Sequence, residues 1–99
     1  MVKHIVLFKL RNDIPEETRR AAALRFKEAI EALPPKIDVI RNIEVGLNMN
    51  PDETWTIALY GEFDTLADVR AYATHPDHVA AGKLLAEVRE SRACVDYEI

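Results

Sequence analysis

Apolar and polar positions alternate from the start of the chain. Val2, His4, Val6, Phe8 and Leu10 share one side of an extended segment over about residues 2–10, and Lys3, Ile5, Leu7 and Lys9 share the other. The first side needs full cover. The second is apolar in the middle and charged at its ends, as expected of a surface covered by something other than a helix of the same chain. Asp13 and Glu16 then stand at capping-box spacing around Pro15, a residue that a first helical turn tolerates. The predicted helix runs to about Leu33, with Ala22, Phe26, Ala29, Ile30 and Leu33 as its buried stripe. Pro34-Pro35 ends it, because the second proline forbids helical geometry before it.

Alternation returns over about Val39–Leu47, where Val39, Arg41, Ile43, Val45 and Leu47 share a side. A turn cluster around Asn48–Glu53 follows, then a third strand over about Trp55–Phe63 with Trp55, Ile57, Leu59, Gly61 and Phe63 on one face. Asp64-Thr65 opens a second helical region by N-capping logic. Its stripe of Leu66, Val69, Tyr72 and Ala73 breaks at His75-Pro76 and restarts with His78, Ala81, Leu85 and Val88, ending near Arg89. Two imidazoles and a phenol gather at that corner. The tail, about Ala93–Tyr97, reads as a last strand.

The element order is therefore β-α-β-β-α-β with a broken second helix. Two right-handed crossovers place strands one and three centrally, giving an α+β, ferredoxin-like fold with a four-stranded antiparallel sheet and helices on one face. Nothing in the chain covers the other face, which carries Ile5, Leu7, Ala58, Val95 and Tyr97. An exposed apolar patch of this kind predicts a homodimer joined through the helix-free sheet face.

Composition narrows the function classes. Ninety-nine residues, 48% apolar and 30% charged, suit one domain over 1–99 with one core. A net charge of −4 and no basic stripe give no case for nucleic acid, and no apolar run approaches the ~20 residues of a membrane span. The opening residues resemble a signal peptide only superficially, since Lys9 and Arg11 close the run early and no small-residue cleavage site follows. Cys94 is the lone cysteine, so a reducing cytoplasm is the expected setting and a small strand residue its expected role. The three glycines form no phosphate-cradling loop.

The opening Val2-Lys3-His4-Ile5-Val6-Leu7-Phe8-Lys9, the segment Tyr72-Ala-Thr-His75-Pro76-Asp77-His78-Val79 and the terminal Val95-Asp96-Tyr97 resemble the stress-responsive A/B barrel (Dabb) family. These proteins are dimeric α+β barrels, and the resemblance covers essentially the whole chain. It implies a homodimeric α+β barrel. Many members carry no established activity beyond stress association. In the olivetolic acid cyclase-like branch of plant polyketide cyclases, chemistry proceeds without a cofactor, and the catalytic positions match His4, Tyr72 and His78. The chain departs from that branch at Ala21-Ala22-Ala23, where the plant enzymes carry bulky aromatics. Small residues there either reshape the pocket or let the helix close on the sheet.

His78 has the chemistry of a general base, since neutral imidazole can take a proton from a carbon beside a carbonyl. Tyr72 could donate to the developing enolate oxygen, and His4 could orient either partner. Val6, Phe8, Phe26 and Leu59 would line an apolar cavity for a small hydrophobic, ketide or phenolic ligand. The competing reading makes His78 a core histidine bonded to a backbone carbonyl and to Tyr72, within a non-catalytic dimeric module. His75 is the expected cap of the helix that Pro76 begins. His75 and His78 with His4 also spell a metal set, but no clear further ligand accompanies them, and no metal is assigned.

Overall fold

The computed structural model describes residues 1–99. Strand β1 spans Val2–Leu10, helix α1 Glu16–Glu31, β2 Asn42–Leu47, β3 Ile57–Phe63, α2 Leu66–Thr74, α3 Pro76–Lys83 and β4 Arg89–Glu98. The sheet order is β2-β3-β1-β4, and every pairing is antiparallel. The strands predicted to be central, β1 and β3, are central, and the fold is ferredoxin-like.

The alternation of β1 is carried through in full. Val2, His4, Val6, Phe8 and Leu10 are all buried, and the four residues between them, Lys3, Ile5, Leu7 and Lys9, are half-exposed. Against this face pack Ala22, Ala23, Phe26 and Ile30 of α1, Val69 and Tyr72 of α2, Ala81 of α3 and the turn residues Leu85 and Val88. Burial of these side chains, at about 25 cal/mol per Å², is what holds helices to sheet. The opposite face has no helix on it. There Val95 is 60% and Tyr97 45% exposed.

Several boundaries differ from those expected. No side chain caps α1; Pro15 is its N-cap residue, and the Asp13 carboxylate instead forks with Arg11 at 2.8 Å. A bidentate ion pair with a guanidinium displaces a capping bond that a neutral partner would not. Residues 32–41 form turns rather than continuing α1 or starting β2 early, with Lys36 and Ile37 donating to the Leu33 carbonyl. Strand β4 begins four residues before the expected Ala93, because β1 offers it a nine-residue pairing edge. The second helical region accordingly stops at Lys83 rather than near Arg89.

Candidate functional site

The corner between α2 and α3 is built by its caps. Thr65 caps α2 by accepting from the Asp68 amide at 3.1 Å. His75 closes α2 in extended geometry, as a residue before proline must, and its ring accepts from the Asp77 amide at 3.1 Å to cap α3. Pro76 fills the first position of α3, where no amide is needed. His78 then folds back across the break, its Nδ1 2.9 Å from the Ala73 carbonyl. A carbonyl only accepts, so Nδ1 carries the ring proton and Nε2 keeps its lone pair. Burial lowers the His78 pKa below the ordinary 6.5; the Ala73 bond pulls the other way, and His4, Arg92 and His75 add to the lowering. The ring is thus neutral at pH 7.

Tyr72 lies beneath His78, fully buried, with ring centroids 4.3 Å apart. Its rings also meet Phe63 at 5.1 Å and His4 at 5.9 Å. No group of the chain bonds its hydroxyl. This departs from the core-histidine expectation, in which His78 and Tyr72 bond each other. Burial holds the phenol proton on, moving its pKa well above the usual range against a small opposing field from Arg92. The hydroxyl is a donor in need of an acceptor.

His4 enters from β1 opposite Gly61, where an added Cβ would stand 3.0 Å from the Phe63 ring and 3.7 Å from His4. Glycine there leaves room for the Phe63 ring beside His4, with ring centroids 6.0 Å apart. His4 Nδ1 is 2.5 Å from the Asp96 carboxylate, which stands directly opposite on β4. The carboxylate fixes the ring's orientation and leaves Nε2 as its second nitrogen. Asp96 was not among the predicted site residues. Its signal is the period of β4: continuing the antiparallel pairing through Arg89 puts Arg92, Cys94 and Asp96 on the face of His4.

His4, Tyr72 and His78 line one cavity of about 90 Å³ between helices and sheet. Val6, Phe8, Phe26 and Leu59 form its apolar wall, with Phe8 and Phe26 edge to face at 5.2 Å. The remaining lining residues, Gly82, Arg89 and Arg92, were not expected. Ala22 and Ala23 are buried against the core and line no part of it, so the small residues of α1 do let the helix settle on the sheet while a cavity survives beside Phe26.

The metal set considered from sequence does not assemble. Neither His75 nor His78 belongs to a set of three converging donor atoms. The donor atoms that do converge, within 4.8 Å, are those of His4, Cys94 and Asp96. In that trio the imidazole and carboxylate bond each other directly, and Cys94 stands 3.8 Å from both.

Comparison with known proteins places this architecture. The chain is 24% identical to olivetolic acid cyclase of Cannabis sativa over 96 residues, covering 97% of this chain and 94% of the cyclase. It is 27% identical to the stress-response A/B barrel domain-containing protein DABB1 of Arabidopsis thaliana, covering 98% of this chain but only 46% of that one. A solved structure from Bacteroides fragilis, described as a dimeric protein of unknown function and ferredoxin-like fold, is 73% identical. It superposes with a TM-score of 0.98 over 99% of this chain and 95% of its own. The model of the Stress responsive A/B Barrel Domain matches residues 2–99, and the chain belongs to that family.

Proposed function

We propose that the cavity between helices and sheet binds a small carbonyl compound, and that His78 removes a proton from the carbon beside the carbonyl without a cofactor. The observation that carries this is the Tyr72 hydroxyl, buried, unbonded and lining the same cavity as His78. Leaving such a group unpaired costs about 1–3 kcal/mol, which an acceptor on a ligand would repay. In the proposed step, Nε2 of His78 takes the proton while Tyr72 donates to the oxygen that gains the electron pair. His4, held by Asp96, orients the carbonyl end. The chemistry is that of a cyclase or lyase.

Size selects among ligands. Benzene occupies an apolar cavity of about 150 Å³, so 90 Å³ buries about four non-hydrogen atoms. That argues for a short carbonyl compound over a phenol or a long ketide. The test is deuterium uptake from D₂O into small ketones and esters, from acetone to methyl acetoacetate, followed by NMR. Wild type should accelerate uptake, and His78→Ala should lose about 100-fold or more of the acceleration. Equal rates in wild type and a folded His78→Ala protein would favour the second reading.

That second reading is a non-catalytic, stress-associated dimeric module, favoured by the bond with which His78 ties α3 back to Ala73. Both readings share the assembly. We infer a homodimer through the helix-free sheet face, in keeping with the dimeric description of the Bacteroides fragilis relative. A groove of about 460 Å³ on that side, lined by Leu7, Leu47, Met49 and Trp55 among others, extends the apolar surface that a second copy would cover.

A further inference from the structure

The mouth of the cavity is positively charged, and one irregularity in the sheet makes it so. β4 pairs with β1 in register from Val2↔Glu98 to Lys9↔Ser91, and then shifts, so that Leu10 faces Arg89 rather than Glu90. An extra residue of this kind re-aims the side chains on either side of it. Glu90 leaves the helix side and pairs with Lys9 on the opposite face at 3.3 Å. Arg89 joins Arg92, which stands opposite Phe8, on the cavity side. Without the shift a carboxylate would stand where Arg89 does.

Both arginines are exposed while lining the cavity, which puts them at its rim. Neither takes part in any of the ion pairs of the chain. The Cys94 thiol of the same strand bonds His4 and Asp96 rather than Arg92. The nearby acid on this face, Asp96, is engaged by His4. Of the eight arginines only Arg11 and Arg41 are in ion pairs, so what sets Arg89 and Arg92 apart is their place together at one cavity. Guanidinium forks match carboxylates in geometry and charge.

We propose that the ligand is a short oxo-carboxylate, its carbonyl end buried beside Tyr72 and His78 and its carboxylate held at the mouth by Arg92 and Arg89. The size fits. An acetonyl group has the four non-hydrogen atoms that the cavity buries by the same comparison with about 150 Å³ for benzene, and its carboxylate would lie outside the apolar wall. This rests on the carbonyl-binding reading above and names its substrate class.

The experiment is an NMR titration of wild type, Arg92→Gln and Arg92→Lys with acetoacetate and with its neutral methyl ester, at low salt and pH 7, reading the His78 ring protons. Wild type should bind the acid at least tenfold tighter than the ester. Arg92→Gln should bring the two together, and Arg92→Lys should restore part of the preference. Equal binding of acid and ester by wild type, or a preference that survives Arg92→Gln, overturns the carboxylate assignment while the carbonyl site stands. If neither compound moves the His78 signals, both readings fall. If the acid binds, loses affinity in Arg92→Gln and leaves the His78 protons unmoved, the anion site stands and the carbonyl reading falls.

Discussion

The two faces of the sheet are made from the same four strands and finish their burial in different ways. On the helix side, Val6, Phe8, Ile57 and Leu59 are covered by the chain's own helices, and a small cavity lined by Val6, Phe8 and Leu59 stays open beneath them. On the other side, Ile5 and Leu7 sit half-covered beside the exposed Val95. This apolar centre is bounded by polar groups: Lys3, Tyr60 and Glu62 bond one another at one end, and Lys9 pairs with Glu90 at the other. An apolar centre with a polar rim is the anatomy of an interface. The difference teaches where a substitution will be felt. On the proposed reading, a change on the helix side acts on folding and ligand, and a change on the bare side acts on assembly.

The largest effect follows from placing a charge in that centre. Val95→Asp should leave the fold intact, because the side chain is exposed in one protomer, and should weaken the dimer 100-fold or more. That is about 3 kcal/mol, in the range for a buried unpaired charge. Sedimentation velocity should show wild type as dimer and the variant as monomer at micromolar concentration. A variant that remains dimeric would mean that the copies meet through another surface, and the contrast between the faces would be lost.

How much of this contrast was legible depends on what each element needed. The period of β1 showed both faces directly, and His75-Pro76 marked the corner, because alternation and proline geometry are local. His4, Tyr72 and His78 could be named because all three are on the stripes that the pattern turns toward the core and all three match the family's positions. Asp96, Arg89 and Arg92 could not. Their side depends on where β4 begins and on a register shift opposite Leu10, and both are set by pairing with β1 about 80 residues earlier rather than by neighbours in sequence. Asp13 misled for a similar reason, since Arg11 outcompeted the amide it was expected to cap.

A smaller effect separates ligand binding from folding on the covered face. Tyr72→Phe removes only the unbonded hydroxyl and keeps the ring that packs on His4, Phe63 and His78. Removing a buried polar group with no partner should raise stability by about 1 kcal/mol, read from urea denaturation. The same variant should slow deuterium uptake into small ketones by about 10-fold or more. Loss of stability instead would mean that the hydroxyl is a structural group, and the functional reading of Tyr72 would go with it.

The smallest effect tests both faces at once, because their titrating groups respond in different windows. His78 has a folded pKa below its unfolded 6.5, chiefly through burial, so the unfolded chain binds the proton more readily. Its contribution is fully present above pH 6.5 and is lost as pH falls through the folded value. Glu62, on the bare face, has its pKa lowered from 4.5, first by its bond to Lys3 and then by that to Tyr60. Its contribution is present above pH 4.5 and is lost only as pH falls through its lower folded value. Acidifying from pH 7 to about pH 5 should therefore lower the thermal midpoint of wild type more than that of His78→Asn, with the dimer unchanged by light scattering. Ketone exchange should fall over the same interval as His78 takes up its proton. Parallel midpoints for the two proteins would place His78 in contact with bulk water, and the neutral base assigned to it would lose its physical cause.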